Sequence, residues 1–341
     1  MLFITYKNIF LSLILAIMIA SFAIIFKLGL PLGIDFTGGA LTEVSYSQLP
    51  EKIKVEEALS GKNLGMYSLR EASSEQGRDG YVLRTRDLSE SERVAVEETL
   101  LNAGPDSTLE RFASVGPVIG QELKDKAAWA IGAVILIIVL YVAYAFRGIG
   151  QLGKNNVSSW VYGAITIIAL MHDVIVPTAA FSLLGYYMGA EADVLFVMAL
   201  LAVLGYSVND TIVMFDRLRE NLEQNHEKAK MLIATHGKKG KEEAAAIENE
   251  PFAETAGRSI NEALLRSFNT SFTTMLTLAA LYWFGGDVTE NFALVLLVGV
   301  AAGAYSSIAL ANPLLVFIAE RLPEQKPKTE KSKPRAPGIP Q

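Results

Sequence analysis

Residues 194–215 read VLFVMALLAVLGYSVNDTIVMF and are apolar apart from Ser207, Asn209, Asp210 and Thr211. A run of this length matches the roughly 20 residues needed to cross the hydrocarbon core of a bilayer. A carboxylate at that depth costs at least about 2.5–3.5 kcal/mol, and acids placed there face a bundle interior or a water path. Asp210 is therefore the first candidate functional residue. A carboxyl group is the simplest proton carrier a membrane helix can offer. The alternative is a packing role, in which the acid bonds to a neighbouring helix.

The same apolar pattern recurs on both sides of this stretch. The chain has 341 residues, 51% of them hydrophobic and 19% charged. The apolar residues gather in blocks too long for an ordinary soluble domain. Six spans are predicted, at 8–26, 127–146, 158–187, 194–216, 266–284 and 291–319. The first is longer than the roughly 7–15 apolar residues of a signal peptide and is followed by no small-residue cleavage site, so it is expected to be an uncleaved anchor. The fold class expected is an α-helical polytopic membrane protein with one small α+β exterior domain.

Charge sets the expected orientation. The loop 147–156 carries Arg147 and Lys154. The segment after Asp216 carries Arg217, Arg219 and five lysines, and the chain end carries Arg321, Arg335 and four lysines. The opposite loops hold Glu191, Asp193, Asp287 and Glu290 without Lys or Arg. The positive-inside rule then places both termini in the cytoplasm. The expected divisions are 1–30 for the N-terminus and first span, 31–126 for an exterior domain, 217–265 for a cytoplasmic insert, and 320–341 for a disordered cytoplasmic tail.

Within 31–126 the pattern predicts strands at 40–47, 65–73, 80–87 and 107–115 and helices at 50–60 and 89–102. Ser89 and Glu92 have capping-box spacing. The order βαββαβ is that of a ferredoxin-like domain. No nucleophile–base set is found, so no catalytic residues and no enzyme activity are expected. With no cysteine and only His172, His226 and His236, no disulfide, metal site or cofactor is expected either. The net charge of −6 gives no reason to propose nucleic-acid binding. Asp173 is a second intramembrane acid beside His172. Adjacent helix residues point about 100° apart, so a catalytic pair is disfavoured, and a second relay group or a structural contact is expected.

Further motifs thread the chain: GIDFTGG at 33–39, with Gly33, Asp35, Phe36, Gly38 and Gly39; SVGPVIG at 114–120, with Gly116, Pro117 and Gly120; HDV at 172–174; GYSVNDTIVMFDRLREN at 205–221; NEALLRSFNTSFTT at 261–274; and Gly285-Gly286. By residue chemistry alone, 33–39 reads as a turn between the first span and the first strand. Together these segments resemble the SecF branch of the SecD/SecF family of protein-export membrane proteins, within the resistance–nodulation–division superfamily.

The resemblance implies a multi-pass protein of the cytoplasmic (inner) membrane, with 31–126 periplasmic. It implies use of the proton-motive force, together with SecD as heterodimer partner, to assist translocation. The further partners implied are the SecYEG translocon, YajC if the source is bacterial, the translocating polypeptide and membrane lipid. It implies a proton pathway in which Asp210 binds the proton and Arg266 is its counter-charge. Arg266 as a plain interfacial anchor is the alternative. Asn209 is expected either to support the backbone or a neighbouring helix beside Asp210, or to make an ordinary interhelical contact. The insert 222–258 is longer than the family's pattern, and two short amphipathic helices or a solvated connector are expected there. Other functions weighed are a proton-driven small-molecule or lipid exporter of the same superfamily and a membrane enzyme using His172 and Asp173. Only one copy of the motifs is present, which implies that SecD supplies the other half.

Overall fold

The computed structural model describes residues 2–73, 78–147, 157–248 and 250–322. The turn expected near 74–77, the loop residues 148–156 and the tail from 323 onward lie outside the described residues. In chain order the elements are α1 (Leu2–Thr5), α2 (Lys7–Leu28), α3 (Ile34–Thr37), β1 (Gly39–Ser45), α4 (Lys52–Ser60), β2 (Ser68–Ser73), β3 (Asp79–Thr85), α5 (Glu90–Leu101) and β4 (Thr108–Val115). There follow α6 (Pro117–Ala145), α7 (Ser159–Met188), α8 (Val194–Glu248), α9 (Phe252–Phe284), α10 (Asp287–Ser306), a π-helical turn (Ser307–Ala311) and α11 (Asn312–Ala319).

Five helical stretches are long and apolar enough to cross a membrane: Lys7–Leu28, Pro117–Ala145, Ser159–Met188, Val194–His236 and Thr289–Ala319. The last joins α10, the π turn and α11 into one rod. The sixth expected span lies within α9, where Asn269, Thr270, Ser271, Thr273, Thr274 and Thr277 interrupt the apolar run. The helices α7, α8 and α10 form the packed centre. On α2 and α6, side chains such as Ile9, Leu13, Ile19, Leu136 and Ile137 point outward, as lipid-facing helices require. Small residues bring α8 and α10 together. A Cβ at Gly303 would lie 2.9 Å from Ser207 Cβ, the close approach by which membrane helices pack.

The segment 217–265 is largely helical. Helical structure does not stop near residue 216 but runs on to Glu248, and the chain doubles back within it, since Gly240 abuts the Leu232 carbonyl and Glu250 reaches Asn225; α9 begins four residues after Glu248. The turn between them is tied by Glu250, which accepts hydrogen bonds from Asn225, Thr255 and Arg258. Asn221 Nδ2 donates to Ser259 Oγ at 2.8 Å, and Arg217 pairs with Glu262 at 2.7 Å. These bonds zip the start of α9 onto α8.

The small domain is a four-stranded sheet in the order β2-β3-β1-β4, with every neighbouring pair antiparallel. Its core of Val44, Tyr46, Leu69, Tyr81 and Leu83 packs against Val55 and Leu59 of α4 and Val96 and Leu100 of α5. The capping box at the start of α5 is formed, with Ser89 N–H donating to Glu92 Oε2 at 2.9 Å.

The segment 33–39 is more than a turn. Between Gly33 and Gly38 it makes the one-turn helix α3, with Ile34 and Phe36 buried. Gly38 has φ +72°, and a Cβ there would sit 2.7 Å from Pro117 Cα. A Cβ at Gly120 would sit 2.8 Å from Gly38 N. The motifs at 33–39 and 114–120 are thus two sides of one contact. Gly116 caps α6 and Pro117 occupies its first turn, where the missing N–H costs nothing.

Gly38→Ala is expected to destabilise the protein by about 1–2 kcal/mol from the left-handed backbone plus about 1–3 kcal/mol from overpacking. Gly120→Ala should incur the overpacking alone. Gly116→Ala meets open space and should cost only the roughly 0.5–1 kcal/mol of a poorer N-cap. Denaturant unfolding in lipid bicelles checks the order.

Candidate functional site

Polar groups buried in the bundle must find partners within the protein, since hydrocarbon offers none. Asp173 on α7 shows how completely this is done. It is wholly buried, and its Oδ1 lies 2.7 Å from His172 Nδ1. Its Oδ2 accepts from Ser306 Oγ of α10 at 2.9 Å and from Ser207 Oγ of α8. His172 Nε2 lies 2.7 Å from the Tyr305 hydroxyl. The tautomer with its proton on Nδ1 satisfies the set: the ring donates to Asp173 and accepts from Tyr305. One carboxylate thus binds three helices together.

His172 and Asp173 pair although adjacent helix residues point about 100° apart. Their Cβ atoms diverge around the helix, but both side chains reach the α7–α8–α10 crossing and pair through their tips.

Asp210 lies one turn further along α8 than Ser207 and is 2% exposed. Its Oδ2 accepts from Ser271 Oγ of α9 at 3.0 Å. Ser267, one turn earlier on the same face of α9, is buried, and its hydroxyl faces the same carboxylate without completing a hydrogen bond of good geometry. Asp173 is therefore held from three helices, whereas Asp210 is held from α9. Next to it, Thr211 Oγ1 bonds Ser307 Oγ at 3.0 Å, and Asn312 Nδ2 donates to Ser307 O at 3.0 Å. That last bond satisfies a carbonyl in the π turn, a feature frequent at functional sites.

The other expected site residues are placed differently. Arg266 is exposed and does not pair with Asp210. The reason is helical phase: Ser267 and Ser271 face α8 at i and i+4, and Arg266 is turned about 100° away from them. Asn209 is also exposed, because the residue beside a buried acid points out of the helix. The motif residues lie at the far end of α8, where Asp35 Oδ2 accepts from the Val194 N–H at 3.0 Å. Ser271, Tyr305 and Ser306 are not among the residues the sequence marks, and Ser207 is marked there only as a polar interruption of its span. Their signal was a cluster of uncharged polar residues inside apolar spans, such as GAYSS at 303–307. No group of three or more His, Asp or Glu able to hold a metal occurs among the described residues.

The chain matches the family model for the C-terminal part of the protein export membrane proteins SecD/SecF over residues 95–237 and 238–321. It matches the SecD/SecF GG motif over 23–48. A protein translocase subunit SecF from Sebaldella termitidis is 35% identical over 90% of this chain and 88% of its own. One from Thermobaculum terrenum is 34% identical over 90% of each chain. One from Pseudomonas aeruginosa is 31% identical over 92% of this chain and 89% of its own. Among solved structures, SecDF from Thermus thermophilus, described as a translocon-associated membrane protein, superposes with a TM-score of 0.74 at 29% identity. That match covers 94% of this chain and 38% of the solved one, so the chain spans well under half of its length.

Ser271→Ala is expected to cost about 0.6–2 kcal/mol, the range of interhelical hydrogen bonds in membranes. Asp173→Ala should cost more, because it strands several buried donors at about 1–3 kcal/mol each. Reversible unfolding in bicelles would rank the two, and equal losses would contradict the unequal bonding of the two acids.

Proposed function

The chain belongs to the SecD/SecF family of protein-export membrane proteins, and we propose that it is the SecF-type subunit that drives export with the proton-motive force. The observation that carries this is Asp210: a buried acid in a membrane helix, bonded by Ser271 on α9. No cation partner of Asp210 occurs among the described residues, so a proton is the simplest species that can neutralise it. Arg266 stands one residue before Ser267 on the outer face of α9. A rotation of α9 by about 100°, one residue's step, would exchange hydroxyl for guanidinium at Asp210. Proton release would accompany that exchange. Asp173 would hold the crossing of three helices and serve as the second acid of the pathway.

Asn209 and Arg266 are exposed at membrane depth, which calls for a protein surface against them rather than lipid. SecD is the natural occupant, since the chain resembles only part of the longer solved SecDF chain. SecYEG, YajC and the translocating polypeptide complete the proposed assembly. In this reading 266–284 of α9 is the sixth crossing, both termini are cytoplasmic, and the small domain is exterior and ferredoxin-like. The strand order and the position of its two helices support the last point. The absence of a nucleophile–base set in the sequence supports a non-enzymatic role. A small-molecule or lipid exporter of the same superfamily is the weaker reading, because such exporters usually carry both halves and larger exterior domains in one chain.

With Asp210→Asn, export in proteoliposomes should fall to the level seen without a proton gradient, while SecD still co-purifies. Unchanged gradient dependence would refute the proton role. Recovery of a self-sufficient homo-oligomer that moves a small solute would favour the exporter.

A further inference from the structure

Where the exterior sheet meets the bundle, the chain builds a junction around the first residue of α8. The strand register places Arg70, Arg84 and Arg111 on the sheet face opposite α4 and α5, together with Leu41 and Glu43. Below that face lie the α7–α8 loop and the 31–35 segment. Arg84 pairs with Glu191 at 2.5 Å and donates to Leu32 O at 3.2 Å. Arg70 donates to Gly189 O at 3.1 Å. Leu32 and Ala192 form a parallel bridge, with Gly33 N–H bonded to Ala192 O and Ala192 N–H to Pro31 O, both at 2.7 Å. Two carboxylates then cap α8: Asp193 Oδ1 accepts from Phe196 N–H at 2.9 Å, and Asp35 Oδ2 accepts from Val194 N–H. Burial pushes the Asp193 carboxyl up, against the pull of the Phe196 N–H, and Arg111 offsets only a small part of it.

We propose that this arginine-to-carboxylate junction couples the exterior domain to Asp210, with Asp35, Arg84 and Glu191 as positioning residues for α8. Docking of the domain holds the first turn of α8 in place, and undocking frees it. The link to Asp210 rests on the proton role proposed above, but the docking does not.

The junction is built to hold without being permanent. Burial pushes the Glu191 carboxyl up despite Arg84 and Arg70, and it pushes the Arg84 guanidinium down despite Glu191. Both directions say that removing water costs more here than pairing returns, as in many partly buried ion pairs. Arg84 Nε is buried without a partner, a further unmet cost. In exchange the junction gains direction. A helix start has free N–H groups that favour carboxylates, and both capping acids are supplied by segments attached to the exterior domain or the loop beneath it.

The test uses the full chain with SecD in nanodiscs and amide hydrogen exchange over 189–197. Arg84→Glu alone and Glu191→Arg alone should each speed exchange there on the order of tenfold, with α7 unaffected. The double swap should return exchange towards the unsubstituted rate. Single variants with unchanged exchange would overturn the proposal. So would a double swap as fast as the singles, since the effect would then come from misfolding rather than pairing. Gradient-dependent export should fall and recover in the same order, and export that ignores the exchange pattern would overturn the coupling. The exchange readout stands whether or not Asp210 carries protons, so failure of Asp210→Asn would count against the proton role alone.

Discussion

A polar group within the bilayer has no water to turn to, and the architecture of this bundle follows from that constraint. Asp173 needs three donors and finds them on α7, α8 and α10. Those hydroxyls reach it only because Gly303 lets α10 come against Ser207. The close packing and the polar network therefore depend on each other. A larger residue at the crossing would separate the helices, and the stranded donors would add to the cost.

The two buried acids sit in different environments although Asp173 of α7 bonds Ser207, one turn from Asp210 on α8. Asp173 is surrounded by hydroxyls and an imidazole from the bundle centre. Asp210 looks towards α9, the helix whose outer face carries Arg266 and Asn269 as well as apolar side chains. An acid fully enclosed by donors is suited to holding structure. An acid facing a helix with two chemically different faces is suited to changing its partner.

α8 connects these features mechanically. Its first residue is capped by Asp35 beneath the four-stranded sheet, the stretch that follows carries Ser207, Asp210 and Thr211, and Arg217 and Asn221 then zip it to α9. A shift at one end of a stiff helix is felt along its length. The glycine motif belongs to the same frame, because α3 is wedged against the start of α6 by the Gly38–Gly120 contact.

Much was legible from the chain alone, because hydropathy and turn chemistry act locally. Long apolar runs, the βαββαβ order and the capping box at Ser89 depend on neighbours within a few residues. An acid amid apolar residues marked Asp210 before any partner was visible. The rest was decided by tertiary structure. Which side of α9 faces Asp210 depends on helix rotation, and this put Ser271 where Arg266 was expected. His172 and Asp173, neighbours on α7, find their remaining partners on α8 and α10, in Ser207, Tyr305 and Ser306. Segments 33–39 and 114–120 touch although some 80 residues separate them, and Asp35 caps a helix that begins 159 residues later. Such contacts are set by packing across the bundle, and no local pattern encodes them.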